Sequence, residues 1–255
     1  MTLLVEAPAG RHFAQFHRDP ETLTESAFLF LEAGLRNGNS LLIVAPTQRV
    51  EQVFDRLATG KLHPKSLIDS GQLGVMDSTP IIDQLVSDGQ AEWARFRRLI
   101  GPVLARLAPH GRGTRIYGEI AHVLWQTGQT DAAIRLEDLW NALAQAYTFS
   151  LFCGYTMDTH SEHAYAAPLE ELGRTHSDIL GSQEDEQFGV ALDRASKELF
   201  GVSLTQMAGA GASRTEGARR FPSGQRAMLW VKRNLPMSTA QLAERARFYF
   251  STAGS

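Results

Sequence analysis

Short apolar runs alternate with amphipathic segments along the first 155 residues of the chain. We predict five buried strands from these runs, at 12–16, 40–45, 73–77, 114–119 and 149–155. Apolar residues at helical spacing predict helices between them, at 20–36, 47–57, 91–107 and 130–147. Strands that alternate with helices pair in a mostly parallel sheet. The pattern therefore predicts an α/β fold in which helices flank a mostly parallel sheet.

The pattern changes after about residue 182. A helix is predicted at 183–200, then a linker rich in glycine and alanine at 208–213, then amphipathic helices at 225–234 and 238–250. This tail is basic, with Arg214, Arg219, Arg220, Arg226, Lys232, Arg233, Arg245 and Arg247. We therefore predict an α/β domain over residues 1–182 and a helical region over 183–255. The helical region is expected to dock on another protein surface or to carry the output of the protein.

Composition narrows the class of protein but does not name a partner. With 43% hydrophobic residues and a net charge of -3, the chain has an ordinary globular composition and no dominant charge. The single cysteine, Cys153, excludes an intramolecular disulfide and a zinc site built from several cysteines. We see no signal peptide and no apolar stretch near the roughly 18 residues of a membrane span, so we expect a cytoplasmic protein without a membrane partner.

A nucleotide enzyme with this order of strands and helices would carry a glycine-rich phosphate loop after its first strand. The chain instead continues from His17 with Arg18, Asp19 and Pro20, which offer no glycine and place an acid where a phosphate would bind. We therefore do not expect ATP hydrolysis, and we predict that the protein is not an enzyme.

Polar residues near the predicted strand ends are the candidates for a binding site, because ligands of parallel sheets collect at that edge. Glu119 is the most informative, since it ends an apolar strand. Two interpretations of Glu119 stay open. It caps the helix that follows, or it holds a ligand, alone or paired with His12 or His122.

Several candidates also have the chemistry of metal ligands, namely His12, His17, Glu119, His122 and Cys153. Their spacing matches no metal motif, and scattered histidines are more often packing or surface residues. A nucleophilic pair of Cys153 with His122 or His176 lacks a supporting pattern as well. The sequence therefore predicts no metal site and identifies no cofactor.

Seven segments resemble, in order, blocks of the MEDS domain, the methanogen/methylotroph DcmR sensory domain. They are RHFAQFH at 11–17, GLRNGN at 34–39, RIYGE at 115–119, LW at 124–125, AIRLEDLWN at 133–141, LFCGY at 151–155 and THS at 175–177. The resemblance covers roughly residues 10–180. It implies a relative of the RecA-like ATPases of the circadian clock that lacks the phosphate loop and senses small hydrocarbon derivatives.

The resemblance also implies a site. The family's polar positions fall here on His12, Glu119, Cys153, Tyr155 and His176, which become candidate ligand-binding residues by resemblance. We add His17 and His122, which lie near predicted strand ends. Many relatives carry an aromatic residue at the position of His17, so the pocket chemistry is expected to differ there.

Residues 226–246 resemble the first helices of an AraC-type helix-turn-helix domain. The sequence ends shortly after the place where a recognition helix would begin, so we do not expect the tail to recognise DNA by itself. We expect a helical tail that docks on the sensory domain, on a second copy of the chain or on a signalling protein.

Together these features predict a non-catalytic sensory module that binds a small molecule and signals through its helical tail. One alternative is a transcription regulator that binds DNA through Arg226, Lys232 and Arg233. The other is an enzyme that keeps a residual nucleotide or metal dependence.

Overall fold

The chain folds into two compact units, Met1–Thr156 and Met157–Ser255. The computed structural model describes residues 2–87, 89–110, 112–208 and 216–253. Residues 209–213 of the predicted linker, and Arg214 of the predicted basic tail, lie outside the described residues. The predicted boundary at residue 182, between an α/β domain and a helical region, stays a prediction.

The described strands of the first unit are β1 (His12–His17), β2 (Ser40–Ala45), β3 (Leu73–Asp77), β4 (Val86–Ser87), β5 (Gln90–Ala91), β6 (Thr114–Gly118) and β7 (Phe149–Thr156). Five of them form a parallel sheet in the order β3-β2-β6-β7-β1, and β4 pairs with β5 in a small antiparallel ribbon. The predicted α/β fold is confirmed, and each of the five predicted strands is present.

The described helices of the first unit are α1 (Thr2–Glu6), α2 (Pro20–Arg36), α3 (Thr47–Thr59), α4 (Pro64–Asp69), α5 (Ser78–Leu85), α6 (Trp93–Leu107), α7 (Ile120–Gln126) and α8 (Thr130–Leu143). Helix α2 begins where the sequence predicts. Asp19 caps it by accepting a hydrogen bond from the Thr22 amide, and Pro20 occupies the first turn. Helix α6 begins two residues later than predicted, because residues 90–91 pair in the short ribbon.

Helices cover both faces of the sheet. Cys153 in β7 contacts Glu137 of α8, whereas the neighbouring Gly154 lies against Leu23 of α2. Adjacent residues of a strand point to opposite faces, so α8 and α2 lie on opposite faces. A Cβ atom at position 154 would lie 2.5 Å from Leu23 and 3.0 Å from the hydroxyl of Tyr117, so glycine permits the close approach.

The core on the α2 face is aromatic. Phe13 of β1, Phe152 of β7 and Phe30 of α2 have ring centroids within 5.7 Å of one another, and Tyr117 packs on Phe152. Arg115 is buried beside them and donates hydrogen bonds to backbone carbonyls of α1 and α2. A buried guanidinium is thus satisfied by carbonyl oxygens, and it ties α1 to the sheet.

The second unit contains α9 (Leu169–Thr175), β8 (Asp178–Leu180), α10 (Gln183–Phe200), α11 (Leu204–Met207), α12 (Glu216–Arg219), α13 (Ser223–Asn234) and α14 (Thr239–Ala253). Helix α10 packs against both α13 and α14. It begins with a capping box between Ser182 and Asp185, and it ends at Gly201 in the left-handed conformation. The three predicted helices of this region are confirmed, since they correspond to α10, α13 and α14.

Candidate functional site

Two polar clusters lie in the first unit. The arginine cluster consists of Thr24, Arg49, Gln52, Tyr117 and Glu119. The histidine–cysteine cluster consists of His12, Glu137, Asn141, Cys153 and Tyr155. Tyr117 packs on Phe152 on the α2 face, whereas Glu137 belongs to α8, so the two clusters occupy opposite faces of the sheet.

A buried ion pair forms the centre of the arginine cluster. Nε of Arg49, from the first turn of α3, lies 2.8 Å from Oε1 of Glu119, the residue that follows β6. The hydroxyl of Tyr117 donates to the same oxygen at 2.6 Å. The other end of the guanidinium donates to the Pro20 carbonyl at 2.7 Å and to Gln52 at 2.9 Å. Glu119 does not cap α7 through its side chain. The side-chain partners of Glu119 among the described residues are Arg49 and Tyr117. The predicted partners His12 and His122 are not among them.

Burial dominates the protonation of this cluster. It raises the pKa of Glu119, an effect that the positive charge of Arg49 and the two hydrogen bonds oppose. Burial, together with repulsion from Arg49, lowers the pKa of His122 to about 4. His122 is therefore a neutral imidazole at pH 7. Its Nδ1 atom is buried and has no hydrogen-bond partner among the described residues.

A cavity of about 260 Å³ borders the arginine cluster. It is lined by Pro20, Pro46, Gln48, Arg49, Gln52, Glu119, His122, Val123, Gln126 and Thr156. These residues come from the first turns of α2 and α3, from α7 and from the end of β7. The cavity therefore lies at the edge of the sheet where the strands end, as the sequence predicts for a ligand site.

The position that a phosphate would occupy is filled by the protein itself. At the start of α2, Oδ1 of Asp19 accepts the Thr22 amide at 2.9 Å, and Oδ2 accepts the Thr22 hydroxyl. The pKa of Asp19 is lowered by these hydrogen bonds, so the helix begins against a carboxylate. An anion would meet this negative charge instead of free amide groups.

The histidine–cysteine cluster is centred on Cys153, in the middle of β7. His12 of β1 and Cys153 of β7 lie on the same face, with Nε2 and Sγ 3.3 Å apart. Glu137 of α8 completes a triangle, because its Oε2 is 3.2 Å from His12 Nε2 and 3.3 Å from Cys153 Sγ. Asn141, one helical turn later, lies 2.9 Å from the other ring nitrogen of His12, and the hydroxyl of Tyr155 donates to Oε1 of Glu137.

Cys153 has the surroundings of a thiol and not of a nucleophilic thiolate. Burial, then the nearby Glu137 carboxylate, raises its pKa well above the usual value. Reactive cysteines have a lowered pKa and an electropositive environment. The same two causes raise the pKa of Tyr155, so its hydroxyl stays a hydrogen-bond donor. The arrangement therefore argues against nucleophilic catalysis by Cys153.

The predicted site residues are distributed over these places. His12, Cys153 and Tyr155 come together in the histidine–cysteine cluster, whereas Glu119 and His122 border the cavity. His17 is the buried last residue of β1, opposite Thr156. His176 belongs to the second unit, where its Nδ1 lies 2.6 Å from the Leu172 carbonyl. Their assignment to one ligand site stays a prediction.

Sequence reasoning missed Arg49, Glu137 and Asn141. A charged residue in an amphipathic helix is ordinarily taken as exposed, yet Arg49 and Glu137 are buried. A signal was present in the periodicity. Arg49 stands four residues before Val53 in the apolar stripe of α3, and Glu137 stands three before Trp140 in that of α8. A charge within an apolar stripe indicates a buried polar contact.

The predicted DNA-contacting residues lie on α13. Arg233 pairs with Glu170, Lys232 is exposed, and Arg226 is partly buried. On α14, Arg245 pairs with Glu198 at 2.6 Å. These acids, from the same unit, neutralise part of the basic charge that phosphate contacts would need.

Comparison with protein families decides the affiliation of the chain. Residues 11–177, about two thirds of its length, match the family described as the methanogen/methylotroph DcmR sensory domain, MEDS. The chain belongs to the MEDS family. The match confirms the resemblance found in the sequence, and it supports a sensory or signalling role. Among curated proteins, no sequence matches the chain.

The MEDS match includes both clusters of the first unit and extends into the second unit as far as α9 and the two residues after it. Helices α10, α13 and α14 lie beyond it. Within the part of the chain that the structure describes, no helix is both long and apolar enough to cross a membrane.

Proposed function

We propose that this MEDS protein is a non-catalytic sensor, which binds a small neutral molecule in the cavity beside the arginine cluster and signals through its C-terminal helices. The observation that carries the proposal is His122. Its buried Nδ1 has no hydrogen-bond partner among the described residues and belongs to a residue that lines the cavity. A buried polar atom without a partner is costly, and a ligand with a hydrogen-bonding group would satisfy it.

The charges around the cavity favour a neutral ligand. Arg49 and Glu119 compensate each other at 2.8 Å, and His122 is uncharged at pH 7. A charged ligand would lose its hydration without gaining an uncompensated partner. The volume of about 260 Å³ is below the roughly 300–1,000 Å³ of sites for larger ligands. A short alcohol or amide has the matching size and polarity.

Two features support binding without nucleotide chemistry. Asp19 occupies the start of α2, where a phosphate would have to lie. Glu119 is held by Arg49 and Tyr117, and it therefore lacks the freedom of a general base that must reach a substrate. The geometry thus favours a receptor over an ATPase.

Signalling requires that the ligand bind two states of the protein with different affinity. In this proposal the region that differs between the states is the C-terminal helices, in which α10 packs against both α13 and α14. We expect ligand binding at the cavity to alter amide exchange within residues 183–253.

Native mass spectrometry of the full chain, purified from its own host, would reveal a retained small molecule. Isothermal titration with acetamide and with short alcohols then measures binding. We expect His122→Leu to weaken binding of the best probe by about fivefold, since a lost hydrogen bond is worth about 1 kcal/mol. His163→Leu is the control, because His163 is 88% exposed in the second unit.

Equal affinity in the wild type and in His122→Leu would contradict the assigned cavity. If acetamide or an alcohol saturates the wild type without changing exchange in residues 183–253, the signalling part of the proposal is wrong while the binding part stands. Exchange is read by mass spectrometry with and without the saturating probe.

A further inference from the structure

We propose that His12, Glu137 and Cys153 form a binding site for a divalent transition-metal ion, with Zn²⁺ as the best fit. None of the three residues lines the proposed sensing cavity, and the nearest link between the two sites is Tyr155, which donates to Glu137 and packs against His122 of the cavity. The metal site uses a nitrogen, an oxygen and a sulfur atom from three elements of the first unit, β1, α8 and β7.

The three donor atoms have the spacing of metal ligands. The separations are 3.3 Å between His12 Nε2 and Cys153 Sγ, 3.2 Å between Nε2 and Glu137 Oε2, and 3.3 Å between Oε2 and Sγ. Tetrahedral Zn²⁺, with bonds of about 2.0–2.3 Å, separates such atoms by about 3.3–3.6 Å. An ion can therefore enter the triangle after shifts of a few tenths of an ångström.

The assignment of donor and acceptor atoms within the histidine–cysteine cluster also favours the binding of a cation. The Asn141 carbonyl oxygen accepts from His12, so the ring proton resides on Nδ1. In the neutral ring this leaves a lone pair on Nε2, directed toward a carboxylate oxygen and a sulfur atom. A metal ion serves all three donor atoms together.

Groups outside the triangle hold two of the three ligands in orientation. Asn141 fixes the ring of His12 through Nδ1, and the Tyr155 hydroxyl donates to Oε1, the carboxylate oxygen of Glu137 that lies outside the triangle. Metal-binding histidines and carboxylates in proteins have partners of this kind, which set the tautomer and the direction of the lone pairs.

The charge and softness of the donors select the metal. A thiolate and a carboxylate carry two negative charges, which a divalent ion neutralises in a buried site; the three residues are at most 7% exposed. A thiolate favours Zn²⁺ and related ions over Mg²⁺ or Ca²⁺, which prefer oxygen. Binding releases the thiol proton to solvent. The remaining position of a tetrahedral ion would be filled by a ligand other than these three residues.

Cobalt provides a direct test, because Co²⁺ replaces Zn²⁺ and a cobalt–thiolate bond absorbs in the near ultraviolet. The chain has a single cysteine, so any such band reports Cys153. The full chain without a histidine tag would be produced in minimal medium with added Co²⁺, so that the ion enters during folding. We expect about one Co²⁺ per chain by elemental analysis, together with the absorption band.

Matched variants locate the ligands. We expect Cys153→Ser to abolish the band and His12→Gln to reduce bound cobalt at least tenfold, while His163→Gln, at an exposed histidine, changes neither. Circular dichroism establishes that each variant folds. If the variants do not fold, X-ray absorption of the zinc-loaded wild type decides, with one sulfur at about 2.3 Å expected.

Folded wild-type protein that retains neither Co²⁺ nor Zn²⁺ would overturn the proposal. So would metal that remains bound without a sulfur ligand. Failure here leaves the sensing cavity untouched, because none of the three ligands lines it.

The partner of His12 supplies a finer test. As a positioning residue, Asn141 should affect affinity without providing a ligand, so we expect Asn141→Ala to weaken metal binding by about 10- to 100-fold. Asn141→Asp should restore it, since a carboxylate also accepts the Nδ1 proton. A merely structural role would change thermal stability without this rescue of affinity.

Discussion

The two polar clusters of the first unit use similar side chains and differ in what surrounds them. The arginine cluster follows the end of β6, where the chain leaves the sheet and the first turns of α2 and α3 leave a cavity. The histidine–cysteine cluster is centred on Cys153 in the middle of β7, where Cys153 is paired with Ala14 on one side and Gly118 on the other and contacts Glu137 of α8.

This difference separates two kinds of chemistry. At a strand end, polar groups can be buried and still reach a small molecule, because neighbouring helices diverge there. In mid-strand, the same kinds of group are enclosed by packed side chains, and only protein atoms or a single ion can satisfy them. In our two proposals, the position along the strand and the donor atoms together distinguish a cluster that reaches a small molecule from one that holds an ion.

The largest effect on stability is expected at the centre of the arginine cluster. Arg49→Met leaves the buried Glu119 without its cation, and breaking a buried pair in this way costs about 3–5 kcal/mol of unfolding free energy. Urea denaturation followed by tryptophan fluorescence measures it. Three of the four tryptophans lie in the first unit, so a Trp230→Phe background restricts the signal to that unit.

Arg56→Met is the matched control, because Arg56 lies on the same helix and pairs with Glu21 and Glu25 at the surface. Exposed pairs contribute about 0–1 kcal/mol. Equal losses in the two variants would show that the Arg49 pair is not insulated from solvent.

The next largest effect is a dependence of the free energy of unfolding on pH, which arises from His122. Folding lowers the pKa of His122 from 6.5 to about 4, so between these pH values the unfolded chain binds a proton that the folded chain does not. The free energy of unfolding should therefore fall as the pH falls from 6.5 toward 4, by about 3 kcal/mol from this residue.

The measurement compares urea denaturation of the Trp230→Phe protein and its His122→Gln variant at several pH values. The stability difference between them should shrink or reverse as the pH is lowered, because the variant has no imidazole to protonate. Parallel curves would mean that His122 titrates normally in the folded protein.

The smallest effect compares one tyrosine from each cluster. Each hydroxyl donates to a buried carboxylate, Tyr117 to Glu119 and Tyr155 to Glu137. We expect about 1–2 kcal/mol of destabilisation for Tyr117→Phe and about 2–3 kcal/mol for Tyr155→Phe, because Arg49 still compensates Glu119. The same denaturation assay measures both. A larger loss of stability for Tyr117→Phe than for Tyr155→Phe would contradict this expectation.

Much of the fold was predictable because local periodicity reports burial. The runs at 40–45 and 73–77 and the helix at 183–200 match the observed elements residue for residue. Shorter helices such as α4 and α9 were missed, since six or seven residues contain too few turns for an apolar stripe to stand out. The hairpin of β4 and β5 has two residues per strand and is equally hard to detect.

The location of Glu119 at the edge of the sheet was predictable, but the residues that pair with it were not. The end of an apolar strand places Glu119 at the edge of the sheet, and this follows from the sequence alone. That Arg49 pairs with it, 70 residues away in the chain, depends on how α3 packs on the sheet. No local pattern specifies such a distance.

The sequence by itself therefore determined the alternation of strands and helices, the missing phosphate loop and the membership in the MEDS family, because each depends on neighbouring residues or on an ordered set of short motifs. Only the tertiary structure decided which polar groups meet. His12 and Cys153, 141 residues apart in the chain, are close because the parallel strands β1 and β7 pair side by side. Their chemistry arises from burial that the linear chain does not display.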